Sequence, residues 1–270
     1  MNGTMFHQKC ACHILNLVVK AGLKTDSVKL LIIKLKDALN HIVSNQERKQ
    51  RFAVMCVNCG MIKLKVPWDI DTRWNSTYRF LNRCLPYKMV IGEFLRSSTP
   101  EGMTLEPTEV EWEQLERVRN FLETFFTATV QLSCSYSPTS FELLKHLYSI
   151  SKVYHQLEEA ETQDESLTPI VDAMKTKFLK YWEDIPLLAI IASCLNPSYK
   201  KYYTIRMVQA YKENMHLNAS DVDSYVNTKF DEMFNIYNSR MQGDNQNPSS
   251  SRRAPRYEYK YTCVFNLYYL

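Results

Sequence analysis

Between Ser27 and Arg51 the apolar residues fall at Val28, Leu31, Ile32, Leu35, Leu39, Ile42 and Val43. Steps of three and four residues bring such side chains onto one stripe of a helix, and no strand has that period. The same period returns along most of the chain. Glycine, which a turn-rich β protein uses freely, occurs only 6 times in 270 residues. Aromatic residues are abundant, with 17 Tyr, 12 Phe and 4 Trp, so the composition disfavours a chain disordered throughout and favours a mainly helical one.

Local signals give the helices their ends. His13 to Gly22 has helical spacing with Gly22 as a natural stop, and Ser27 to Arg51 reads as one long helix. Leu64 to Ile70 is the clearest candidate strand. A helix is expected from Asn75 or Ser76 through Leu85, with a kink at Pro86. A Ser-, Thr-, Pro- and Gly-rich loop from Ser97 to Thr108 separates residues 1–98 from a helical region at 105–241. Thr108 and Glu111 have the spacing of a capping box. Ser137-Pro138 and Thr168-Pro169 place proline at a helix's first position and predict helices over about 138–161 and 169–182. Pro186 to Leu195, Tyr202 to Lys212 and Ser220 to Arg240 complete the series. Residues 242–256 read as a polar, disordered linker, and 257–270 as an atypical, Tyr- and Phe-dense C-terminus.

The chain's net charge of +4 conceals an asymmetry. Residues 1–98 carry 16 Lys+Arg against 6 Asp+Glu, whereas residues 99–241 carry 13 against 21. A polyanion is therefore expected on the first third, although Lys29, Lys34, Lys36, Arg48, Lys49 and Arg51 also suit the solvated face of a helix. No basic-then-apolar leader opens the sequence and no apolar run approaches the roughly 18 residues of a spanning helix, so an intracellular protein with no membrane partner is expected. The eight cysteines follow no disulfide-scaffold spacing and are expected to be reduced thiols.

Several groups of residues are candidates for chemistry. In Trp68-Asp-Ile-Asp-Thr-Arg-Trp-Asn-Ser-Thr-Tyr78 a planar cation, Arg73, stands beside a large π-face, Trp74. That pair suits a phosphate next to an unstacked base, and equally a buried tryptophan anchoring a helix. Cys10, Cys12 and His13, together with Cys56 and Cys59, are atoms zinc would accept, but their spacing is not that of a standard finger. Reduced core cysteines and a helix-start histidine fit better. Asp69 and Asp71 alternate as metal ligands on a strand would, and also as ordinary capping residues would. There is no Gly-rich phosphate loop and no nucleophile elbow, and no cofactor is expected.

The run from Asp69 through Thr72, Arg73, Trp74, Asn75 and Ser76 to Tyr78 resembles a signature of plant hAT-superfamily transposases and their domesticated BED-finger relatives of the Ricesleeper and Daysleeper type. The segment from Phe6 to Leu23 is similar to a second block of that family, on which Cys10, His13, Asn16 and Leu17 match while Lys9 replaces an arginine. Met174 to Trp182 and Leu195 to Lys200 resemble two further blocks, the latter with Asn196 and Ser198 at positions the family fills otherwise. The resemblance covers residues 6–240 in unbroken order and implies a fragment of an RNase H-like α/β core over 1–98. It also implies the hAT-like RNase-H fold domain at about 165–240.

In the family a matching Arg-Trp pair lies near the transposon end, so the resemblance implies DNA contact by Arg73 and Trp74. Cys10, His13, Asn16, Asp69, Thr72, Asn75 and Ser76 are then structural motif residues. It also implies that the three catalytic carboxylates, the BED finger and the dimerisation segment lie outside this chain. The expected function is nuclear DNA binding through residues 1–98 without nuclease activity, with self-association or pairing with related transposase-like proteins. A metal-dependent nuclease using Asp69 and Asp71, and a helical protein-interaction scaffold, are the alternatives.

Overall fold

The computed structural model describes residues 9–65, 74–98, 100–134, 139–160 and 166–245. Among them every regular element is helical. The order is α1 (Ala11–Leu23), α2 (Asp26–Val43), α3 (Gln46–Asn58), α4 (Trp74–Cys84), α5 (Lys88–Ser98) and α6 (Pro100–Leu105). Then follow α7 (Glu109–Leu132), α8 (Ser140–Glu159), α9 (Thr168–Trp182), α10 (Leu187–Leu195), α11 (Lys200–Asn214) and α12 (Val222–Asn245). A short 3-10 turn, Leu85–Tyr87, joins α4 to α5 at the expected kink.

The mainly helical expectation holds, and no strand occurs among the described residues. Met61 to Lys65 has no regular structure, which corrects the start of the candidate strand; its residues 66–70 lie outside the described ones. The helix expected over Ser27–Arg51 is two helices. Asn45 breaks it, because its side-chain oxygen accepts the amides of Glu47 and Arg48 at 2.8 and 3.1 Å and so starts α3 afresh. The expected loop at 97–108 is shorter, since α6 occupies most of it. α8 begins at Ser140 rather than 138, and Ser137-Pro138 lies outside the described residues. Residues 242–245 continue α12, while the remainder of the expected linker and the atypical C-terminus lie outside.

The chain divides into two compact units, residues 1–226 and 227–270. In the second, the described part is the continuation of α12, with Phe234 and Tyr237 exposed. The first unit carries the main core, and α1 occupies a central place in it. α1 packs most extensively on α9 and also meets α7, α2 and α4. Its buried face is Ile14, Leu15, Val18, Val19 and Gly22. α8, α10 and α11 pack on one another, and α7 links them to α4.

Gly22 is not the helix stop the sequence suggests, because α1 continues to Leu23. A Cβ at Gly22 would stand 2.5 Å from Met174 Cγ and 2.6 Å from Ile170 Cγ1, so only glycine lets α1 lie this close to α9. The turn that follows uses the same residue, whose carbonyl accepts the backbone amide and the hydroxyl of Thr25 at 3.0 and 2.7 Å.

Aromatic rings fill the space between α7, α8, α9 and α11. Phe121 meets Phe125 edge-on with centroids 5.4 Å apart, Tyr154 meets Phe178 at 5.7 Å, and Phe178 meets Trp182 at 5.0 Å. Edge-on pairs at these separations add to area burial. The Tyr211 hydroxyl is satisfied by donating to the Trp182 carbonyl. The buried Tyr154 hydroxyl has no partner, so desolvation pushes its pKa well above the ordinary phenol value.

The α7 end is held by the expected capping box: the Glu111 amide donates to Thr108 Oγ1 at 3.2 Å, and Glu111 Oε2 accepts the Thr108 amide at 2.7 Å. Lys34 of α2 reaches the same carboxylate at 2.6 Å. Burial alone would raise the Glu111 pKa, but these donors outweigh it and hold the group below its ordinary value.

The predicted result of Gly22→Ala follows from the α1–α9 contact. Alanine gains about 1 kcal/mol in helix propensity, but Met174 and Ile170 are fully buried, so making room for the methyl group displaces core side chains. The expected net effect in urea unfolding is a loss of about 1–3 kcal/mol. Unchanged or increased stability would show that the two helices do not approach this closely.

Candidate functional site

The family-like run ends in α4, so the fate of its tryptophan can be read directly. Trp74 is 3% exposed. Its indole meets Phe126 of α7 edge-on with centroids 6.4 Å apart. Tyr78, one turn further on, stacks on the same phenylalanine at 4.3 Å with planes 22° apart. The Arg79 guanidinium lies 5.7 Å from that ring's centroid. Three side chains of α4, at 74, 78 and 79, thus meet one residue of α7, and Trp74 sits in the core in this conformation. A base cannot stack on an indole face that is already buried.

Arg73, Asp69, Asp71 and Thr72 lie outside the described residues. Asn75 and Ser76 are half-buried at the start of α4, with Asn75 Oδ1 lacking a hydrogen-bond partner.

A side of α4 that begins at Arg79 is exposed to solvent. Arg79 and Arg83 are both exposed and four residues apart, so they lie one turn from each other along the same side. With Gly60, Met61, Ile62, Asn82, Pro86 and Tyr87 they line a shallow groove of about 520 Å³. The Met61–Lys65 segment is fixed along it by the Tyr87 hydroxyl, which donates to the Ile62 carbonyl at 2.7 Å. Lys63 and Lys65 of this segment are exposed. Neither Arg79 nor Arg83 makes an ion pair among the described residues, so the groove is a cationic surface open to an anion.

Other cations of the first third are arranged differently. Lys34 is held by Glu111, and Arg51 lies 5.9 Å from the centroid of the Phe94 ring. Lys29 and Lys49 are exposed, as the helix-face reading expects. Sequence reasoning missed Arg79 and Arg83, although their i,i+4 spacing just after the family-like run was available as a signal.

The Cys-x2-His residues sit at the start of α1. Cys10 and His13 are exposed, and Asn16 is half-buried. Cys12 turns inward, its sulfur 3.3 Å from Oγ of Ser133, the residue that caps the end of α7. Cys56 is buried and Cys59 exposed. Among the described residues no three His, Cys, Asp or Glu side chains converge as a metal would require.

A third cluster ties α8 to α9. Glu158 accepts a hydrogen bond from Lys175, and its other oxygen lies 3.0 Å from His216 Nε2. Burial works against the Glu158 charge, but these two donors hold its pKa below the ordinary carboxylate value. The cluster is a structural clamp, since each member already has a partner within the protein.

Two family models match the chain. The ZBED1 RNase-like helical domain covers residues 8–121, and the hAT-like transposase, RNase-H fold, covers residues 143–237. The first match includes α4 and the groove beside it, and the second includes α9 to α11. The AC transposase of Zea mays is 29% identical over 216 residues, which is 80% of this chain and 26% of that protein. The zinc finger BED domain-containing protein RICESLEEPER 2 of Oryza sativa subsp. japonica is 23% identical over 94% of this chain and 35% of its own length. The zinc finger BED domain-containing protein DAYSLEEPER of Arabidopsis thaliana is 26% identical over 61% of this chain and 23% of its own length. No solved structure gives a match. The chain is thus similar to a ZBED1-type domain in its first part and to a hAT-like transposase domain in its second, and it spans 26% and 35% of the length of the first two of these relatives.

The placement of the cysteines gives a direct test of the core. Burial pushes the Cys84 thiol up to about 12 and raises Cys56 as well, so neither supplies much thiolate near neutral pH. Iodoacetamide at about pH 8 is expected to label exposed Cys10, Cys59 and Cys134 in the native protein. Cys56 and Cys84 should react only after denaturation. Peptide mapping by mass spectrometry that finds Cys84 labelled as fast as Cys59 would contradict this packing.

Proposed function

We propose that this chain binds duplex DNA through the groove along α4 and does not itself cut the strands. The observation that carries the reading is the pair Arg79 and Arg83 on one exposed face. They stand beside exposed Lys63 and Lys65, within a stretch carrying 16 Lys+Arg against 6 Asp+Glu. Arginine forks grip phosphate oxygens, and a row of cations displaces counterions from the backbone without reading sequence. The match to a hAT-like transposase model and the similarity to AC transposase support a DNA partner over other polyanions.

Strand cleavage by the two-metal route needs carboxylates that hold both cations at the attacking and leaving oxygens. This reading assigns none of the described side chains to that task. The motif residues Cys10, His13, Asn16, Asn75 and Ser76 keep structural roles in it, and Trp74 serves as the anchor of α4. It implies a nuclear protein. Association with other copies or with related transposase-like proteins has separate support in the exposed apolar residues Leu30 and Ile33 of α2 and Val54 and Val57 of α3.

Arg79→Ala/Arg83→Ala tests the groove. Fluorescence anisotropy with a labelled duplex should show weaker binding by about 5- to 30-fold near 0.1 M salt. The slope of log K against log salt should become shallower by about 2, one unit for each phosphate contact removed. Thermal unfolding should shift only slightly, reflecting loss of the exposed Arg79–Phe126 contact, worth about 0.5–1 kcal/mol. A double variant with wild-type affinity and salt slope would remove the groove from the account.

A further inference from the structure

The helical region is acidic taken whole, at 13 Lys+Arg against 21 Asp+Glu over residues 99–241. One part of it reverses that sign. Residues 185–212 contain four Lys+Arg and no Asp or Glu. Three of these cations, Lys200, Lys201 and Arg206, fall in the first two turns of α11, interleaved with Tyr202 and Tyr203.

Both tyrosines face outward, at 63% and 60% exposure. The fold does not use them, because the inner face of α11 is Thr204, Ile205, Val208 and Tyr211. The contrast with Tyr211 is instructive: that ring is fully buried and its hydroxyl is bonded to the Trp182 carbonyl, as a structural tyrosine should be. Tyr202 and Tyr203 instead meet each other edge-on, with centroids 5.5 Å apart and planes at 80°. The Arg206 guanidinium lies over the Tyr202 ring at 5.5 Å from its centroid. The two rings and the cation thus lie together in the free chain.

The turn leading into the patch is also fixed. Asn196 Oδ1 accepts the Ser198 amide at 2.8 Å, and the Asn196 carbonyl accepts the Lys200 amide at 2.8 Å. Lys200 is held at φ 55, a conformation L residues rarely adopt.

From this arrangement we infer that the start of α11 is a binding surface for single-stranded or unpaired nucleic acid, with Tyr202 and Tyr203 stacking on bases and Lys200, Lys201 and Arg206 following the phosphates. Paired exposed aromatics among cations are the elements of a sequence-tolerant stacking platform. A duplex hides its base faces and has no use for the tyrosines, so this surface and the α4 groove take different forms of nucleic acid. An acidic peptide would satisfy the cations but leave the exposed rings without a partner. The inference does not depend on the α4 groove.

The test uses the full chain and a fluorescein-labelled oligothymidylate, with an abasic strand of equal length and polyglutamate as competitors. Tyr202→Ala/Tyr203→Ala should weaken oligothymidylate binding about tenfold or more and change duplex binding less than about twofold. Tyr202→Phe/Tyr203→Phe should keep most of the affinity, since the rings and not the hydroxyls stack. Arg79→Ala/Arg83→Ala should leave oligothymidylate binding largely intact, so that a failure of the α4 groove remains separable from a failure here. Wild-type oligothymidylate affinity in the alanine pair overturns the inference. So does an abasic strand or polyglutamate competing as well as unlabelled oligothymidylate, which would show a surface that reads charge alone.

Discussion

The close approach of α1 to α9 at Gly22 is the constraint on which the first unit depends. Two segments almost 150 residues apart in sequence meet there with no room for a single added methyl group against Met174 and Ile170. α1 reaches α7, α2 and α4 from the same position, so the contact ties the basic first third to the acidic helical region. It also joins the two stretches matched by separate family models. Their combination in one packed unit explains why the aromatic core between α7, α8, α9 and α11 can lie directly behind a helix that belongs to the other stretch.

The clasp of α4 on Phe126 has the next largest consequence. Trp74 and Tyr78 take the inner side, which leaves Arg83 exposed and Arg79 at the rim, exposed but with its guanidinium over the Phe126 ring. The family-like run therefore contributes to a nucleic-acid surface indirectly: its aromatic residues fix a helix whose later arginines remain available. Electrostatics follows the same division. Lys34 is held by Glu111 inside the fold, while the α4 groove presents the exposed Arg79 and Arg83 and the start of α11 carries Lys200 and Arg206 beside two exposed tyrosines. Two cationic surfaces that differ in their aromatic content suit nucleic acid in two states, paired at α4 and unpaired at α11.

Much of the helical architecture was legible in the sequence, because amphipathic period and capping chemistry are local. Thr108 and Glu111 form the box their spacing announces, and Pro169 opens α9 as placed. The break at Asn45 was hidden, since the apolar stripe of α2 runs to Val43 and α3 takes up a similar pattern after two residues. Gly22 was read as a stop because glycine ends many helices; its actual role depends on Ile170 and Met174, which no local window contains. For Trp74 the sequence left both faces of the question open, as a tryptophan beside an arginine has the same composition whether it anchors a core or meets a base. The patch at Tyr202 and Tyr203 was obscured by averaging charge over 99–241, which hid an acid-free run within an acidic region.

The central claim is that this helical chain holds nucleic acid without breaking it. A duplex with a single-stranded tail, incubated with the full chain in Mg²⁺ or Mn²⁺ and divided between a native and a denaturing gel, tests both halves in one reaction. The account predicts retarded DNA on the native gel, released as salt rises, and intact strands on the denaturing gel. Shortened strands that depend on the metal, or DNA that migrates freely at low salt, would contradict it.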